Sequence, residues 1–160
     1  MATRQIFLPI VILSTLLLPG AAGADQGRPV ALADRVKGAD LAVVARVTHV
    51  RTALERNEFG DELIVSHVTL EVEETLKGKP AKLQTVAVEG GTLDGYTLRV
   101  SDMPDMKKGA RGVFLTKRDP RGVNRPHLRG QGILMLDPSN RVEGSALTLD
   151  EIRATARTAR

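Results

Sequence analysis

Between Ile64 and Glu73 the chain alternates without a break, with Ile64, Ser66, Val68, Leu70 and Val72 set against Val65, His67, Thr69, Glu71 and Glu73. A period of two sustained this long is a β-strand with one buried face and one wet face, and it commits the chain to a sheet. The valine-rich run Leu41 to Thr52 is predicted as the strand before it. Leu41, Val43, Ala45 and Val47 would lie on one of its faces, Val44 and Val50 on the other. Ala53 to Asp61, which holds Glu55, Arg56, Asn57, Glu58 and Gly60, reads as the polar connection between the two. Leu83 to Glu89, Tyr96 to Val100, Val113-Phe114-Leu115 and Ile133 to Leu136 supply the other strands, giving about six short strands.

Helical spacing occurs only at the ends. Val30, Leu32, Ala33 and Val36 mark a short helix that Gly38 would close in the left-handed conformation. Thr148 and Glu151 have the spacing of a capping box, which predicts a second helix from Leu149 or Asp150 to about Thr158. Gly78, Gly90, Gly91 and Gly109 fall at strand exits or entries, where a backbone turn needs a residue without a Cβ. Asp137-Pro138-Ser139-Asn140 has type I turn chemistry. Strands with turns between them and a helix at each end predict a mainly β fold: a small closed or partly open barrel of OB type. A β-sandwich is the alternative.

Residues 1–24 read as an export signal. Arg4 is followed by the apolar run Ile6 to Leu18, then Pro19-Gly20, and Ala22-Gly23-Ala24 has the form of a cleavage site. The run is shorter than the roughly 20 residues of a membrane span. Cleavage would leave 25–160 as a single β-rich domain in the periplasm or medium, with a core over about 30–148 and no membrane span. The sequence contains no cysteine, which excludes disulfides, thiol nucleophiles and cysteine-held zinc. Lys and Arg number 23 and Asp and Glu 19, and this mild excess does not by itself point to nucleic acid. With no tryptophan, one tyrosine and three phenylalanines, the core must be aliphatic.

The succession Ala39-Asp40-Leu41-Ala42-Val43-Val44, Val68 to Gly78, Val88-Glu89-Gly90-Gly91 and Lys108 to Leu115 resembles a family of small exported bacterial proteins of uncharacterised function. That layout is similar to the OB-type barrel of netrin modules and tissue inhibitors of metalloproteinases. The resemblance implies a fold and no activity, since those inhibitors chelate zinc with an N-terminal cysteine that this sequence lacks.

Candidate chemistry is sparse. His49 and His67 share a face only if their strands pair with an even index sum, whereas burying Val43 and Val47 with Val68 and Leu70 demands an odd one. That register puts His49 on the core side or its rim and His67 outside with Glu71. Arg125 and Arg129 beside His127 disfavour a cation, so no metal or cofactor is expected. Ser66, Ser101, Ser139 and Ser145 lack a nucleophile context. Asp102 with Asp105, or Glu71 with Glu73, would carry the alternative function, a hydrolase. The basic cluster Lys107, Lys108, Arg111, Lys117, Arg118, Arg121, Arg125 and Arg129 is the stronger feature. Guanidinium groups so concentrated hold anions by bidentate bonds, and Lys117, Arg118, Arg121, Arg125 and Arg129 are the predicted anion-binding residues. The expected function is a non-enzymatic exported domain of the cell envelope that binds an anionic polymer or a protein partner. Single-stranded nucleic acid is disfavoured, because it needs aromatic platforms and only Tyr96 offers one.

Overall fold

The computed structural model describes residues 29–57 and 60–159; the export signal read at 1–24 lies outside them. Helix α1 (Leu32–Gly38) is followed by strands β1 (Leu41–Arg56), β2 (Glu62–Lys77), β3 (Leu83–Glu89), β4 (Gly91–Leu93), β5 (Tyr96–Leu98), β6 (Arg111–Arg118), β7 (Asn124–Pro126) and β8 (Ile133–Met135), then helix α2 (Leu149–Thr158). The six-stranded sheet runs β3-β2-β1-β6-β7 with β8 also paired to β6, and β4 with β5 forms a separate two-stranded sheet.

Among the described residues eight strands replace the expected six, because two lie where the sequence suggested only loops. β4 pairs with β5 through Asp94-Gly95, both at positive φ (49° and 82°), which is the turn geometry that matches strand twist. β7 pairs with β6 inside the segment 117–129 that was read as one long loop. β1 and β2 are each 16 residues long, so the strands reach into the predicted connection from both sides. Asn57 N–H donates to Asp61 O at 2.9 Å, and Asn57 Oδ1 accepts from Asp61 N–H at 2.8 Å.

The core has two parts on opposite faces of the sheet. Val44, Val113, Leu115 and Leu134 meet Val36 of α1 and Leu149, Ile152 and Ala156 of α2. On the other face Val43, Val47, Val68, Leu70, Val86 and Phe114 pack together. Val86 of β3 and Phe114 of β6 touch this second cluster although β2 and β1 separate them in the strand order, so the sheet bends around it. Full burial of each such side chain is worth about 1.5–3 kcal/mol. The bend brings β7 towards β3, where Asn124 Nδ2 donates to Thr85 O at 3.3 Å. Among the described residues no backbone ladder joins β3 to β7, so the sheet is open, and of the closed or partly open barrel expected the closed form is not present.

Helix α2 carries the predicted capping box, Glu151 N–H to Thr148 Oγ1 at 3.3 Å and Thr148 N–H to Glu151 Oε2 at 2.7 Å. The Thr148 hydroxyl and backbone N–H hold the Glu151 carboxyl below its ordinary value. The predicted role of Gly38 is corrected: it is the last helical residue of α1, outside the left-handed region, and extended Ala39 follows it. A Cβ there would overlap the ring of His127, so space rather than φ requires glycine. Gly78 does have a positive φ of 84°, and a Cβ on it would lie 2.7 Å from Asp40 O. Its neighbour Lys77 closes α1, the Nζ donating to Val36 O (2.9 Å), Lys37 O (2.7 Å) and Ala39 O (2.7 Å).

Candidate functional site

The register of β1 against β2 decides which side chains can meet. Val47 faces Leu70, the odd sum that burial demands, but His49 faces Thr69 because a bulge at Thr48 shifts the ladder by one residue. Beyond the bulge the faces of β1 exchange, so Val50 packs against the same cluster as Val43 and Val47 instead of lying opposite them. His49 is consequently exposed, contrary to the core-side position expected of it. The even sum also places His49 and His67 on one face, where His67 Nε2 contacts Glu55 Oε1 and is half-buried. No group of three or more potential metal ligands occurs among the described residues. His127 differs from expectation in its surroundings: burial, then Lys117 and Lys77, push its imidazole pKa down against the opposing pull of Asp40, and Arg125 and Arg129 are not among the causes.

The structure divides the basic cluster. Arg121 from the β6–β7 turn, Arg125 from β7 and Arg129 from the following 3-10 turn line one cleft of about 520 Å³, and Arg56 from the end of β1 joins them. Leu63 and Val65 form part of its wall, and Glu55, Glu89 and Asp119 lie in it. Lys117 and Arg118 are not part of this cleft. Arg118 uses its backbone N–H on Asp40 Oδ2 at 2.9 Å. Lys107 borders a second cleft, and Arg111 pairs with Glu73. Sequence reasoning missed Arg56, which the unforeseen length of β1 carries to the cleft.

Carboxylates fix two of the four guanidinium groups. Arg125 Nε meets Asp119 Oδ2 at 2.9 Å, and Arg129 meets Asp102 Oδ2 at 2.9 Å and Glu89 Oε2 at 2.9 Å. Burial alone would raise the Asp119 carboxyl, but the Arg125 guanidinium and the backbone N–H groups of Val123 and Arg121 outweigh it and hold the group below its ordinary value. Asp102 is likewise held low, first by its hydrogen bond to Arg129. A carboxyl kept ionised in this way is a poor proton donor, which weakens Asp102 as the acid of a hydrolase. Its proposed mate Asp105 lines the second cleft, which Asp102 does not. Glu73 is engaged by Arg46 and Arg111, and Glu71 faces Lys82 at 3.8 Å. Arg121 and Arg56 are the least committed cations: the Arg121 side chain makes no hydrogen bond or ion pair with a described residue, and Arg56 meets Glu62 only at 3.4 Å.

Arg129 sits on unusual backbone. Leu128 and Arg129 are both left-handed, with φ of 57° and 56°, a conformation that costs a non-glycine residue about 1–2 kcal/mol. Gly130 follows, where a Cβ would overlap the Asp102 carbonyl. The second cleft, about 750 Å³, lies between β1, the β4–β5 hairpin and the loop 99–107. Two of its hydroxyls are internally engaged: Ser66 Oγ donates to Gly90 O at 2.6 Å and Thr52 Oγ1 to Thr92 O at 2.8 Å. Ser66 is thus a buried structural serine.

No family model matches this chain, and no curated protein matches it.

Proposed function

We propose that this chain is an exported, non-enzymatic binding domain of the cell envelope that holds an anionic polymer in the cleft of Arg56, Arg121, Arg125 and Arg129. The observation that carries the reading is that four arginines, three from the stretch Arg121 to Arg129 and one from the end of β1, line one concave surface. Arg125 spends only its Nε on Asp119, so its terminal N–H groups stay available, while the pairing fixes the guanidinium plane and reduces the ordering cost of binding. Glu55, Glu89 and Asp119 in the same cleft leave only a small excess of positive charge. A single anion is therefore held weakly, and a ligand with repeated anionic groups gains by multivalency. The bend of the sheet around one cluster and the Asn124 contact to β3 support reading the fold as a partly open barrel of OB type. The export part of the proposal rests on Ala22-Gly23-Ala24 after the apolar run, and intact-mass measurement of exported protein is expected to show Asp25 as the first residue.

The binding part is tested on the two arginines with the weakest ties to the fold. An Arg56→Gln/Arg121→Gln double variant is expected to lose most of its retention on heparin or an anionic glycan while melting as the parent does. Retention of the parent should fall steeply as salt rises. Unchanged retention of the variant would remove the cleft as the site.

A further inference from the structure

The outer half of β1 has an open backbone edge. β6 pairs with β1 only as far as Arg46, and the last bonds on that side are Val47 N–H to Ala110 O and Gly109 N–H to Val47 O, both 2.8 Å. On the other side Asn57 bonds Asp61 across the turn, and bonding pairs alternate along an antiparallel ladder. Arg51, Ala53 and Glu55 therefore turn their backbone groups to β2, while Val50, Thr52, Leu54 and Arg56 turn theirs away, where no strand among the described residues pairs with them. None of the residues from Thr48 to Arg56 is buried. The edge of β3 is different: Thr85 and Ala87 turn outward by the same alternation, but Asn124 takes Thr85 O and Ala87 is only 1% exposed.

We propose that the β1 edge is the surface on which two copies of this chain pair, antiparallel, about a two-fold axis at Ala53. Bonding pairs across such an edge must join outward-turned residues, which sets Thr52 opposite Leu54 of the second copy and Val50 opposite Arg56 of the second copy. The intervening pairs, where side chains come closest, then bring Arg51 of each copy against Glu55 of the other. The axis yields two such opposite-charge pairs, as an isologous interface requires. Sliding by one bonding step sets Arg51 against Ala53 or against Asn57 and loses both pairs, so charge selects this register and favours a second copy over an unrelated strand. Val50 and Thr52 also border the cleft of about 750 Å³.

Sedimentation equilibrium of the chain from Asp25 onward tests the pairing. The parent is expected to show a reversible monomer–dimer equilibrium. Arg51→Glu and Glu55→Arg, each alone, set like charges across both pairs and should weaken it at least tenfold; mixing the two variants restores opposite charges at both and should give a heterodimer. Thr52→Pro removes an outward N–H without touching the ladder to β2, and should leave a monomer. Because Glu55 also contacts His67, the melting temperature of each variant is checked first, and Arg51→Glu with the parent fold carries the test if Glu55→Arg does not fold. A parent that stays monomeric to its solubility limit overturns the proposal. So does a folded Arg51→Glu variant that dimerises like the parent.

Discussion

The two halves of the β1–β2 hairpin belong to the same pair of strands and differ in nearly everything else. From Ala42 to Val47, β1 has neighbours on both edges and core on both faces, and among these residues only Arg46 is exposed. From His49 to Arg56 it has β2 on one edge and no strand among the described residues paired on the other, and no residue is buried. Thr48 divides them. A bulge of one residue there exchanges the faces, so the inner half belongs to the core and the outer half to the surface. The lesson is that strand propensity alone does not say what a strand is for; the number of its edges and faces that are occupied does.

The largest expected contrast is between one leucine in each half. Leu70 is fully buried against Val47 and Phe114, and Leu70→Ala should cost about 2–5 kcal/mol in urea unfolding. Leu54 is 54% exposed, and Leu54→Ala should change stability by under about 0.5 kcal/mol. Comparable losses would mean that the outer half is packed after all. Next in size is Lys77→Met, which strips a charged donor from three carbonyls at the end of α1. A loss of about 1–3 kcal/mol is expected, and a change near zero would show that water replaces the ammonium at no cost.

Acid should act on the region around β6 and β7 before it acts on the outer hairpin. The His127 imidazole lies below its ordinary 6.5 in the folded chain, so it contributes stability above about pH 6.5 that is lost as pH falls below that value, where the unfolded chain takes up the proton first. Asp102 and Asp119 are held below the ordinary carboxyl value. Their contribution is present above that value and lost as pH falls through their folded values. Melting temperature should therefore decline in two stages, and His127→Gln should flatten the first. The smallest effect is Arg51→Glu, expected to shift monomer stability by less than about 0.5 kcal/mol while altering self-association.

What could be read from the residues was what local chemistry fixes. The capping box at Thr148 and Glu151 and the turn at Asp137 to Asn140 each depend on groups a few residues apart, and each is present; the alternation read from Ile64 to Glu73 holds only from Ser66 to Glu71, since Val65, expected on the wet face, is buried and Val72, expected on the buried one, is not. What was not legible depended on distant partners. β7 contains Pro126 and two polar residues, carries no alternation, and is a strand only because Thr116 to Arg118 lie beside it. The bulge at Thr48 leaves no local signature, since threonine suits a regular strand equally well. The cleft was half legible: Arg121, Arg125 and Arg129 are close in sequence, but Arg56 reaches them only through tertiary structure, and the carboxylates Glu89 and Asp102 that hold Arg129 lie 40 and 27 positions away.

The reach of Lys77 has a consequence for the order in which this molecule assembles. A helix of seven residues does not survive alone in water, and the groups that end α1 come from a residue about 40 positions later. Its amides should therefore gain protection from exchange only after β2 has zipped against β1 and delivered the ammonium, and in the native state they should open together with that end of the hairpin rather than fray on their own. The first helix among the described residues is then among the last elements to become fixed in time.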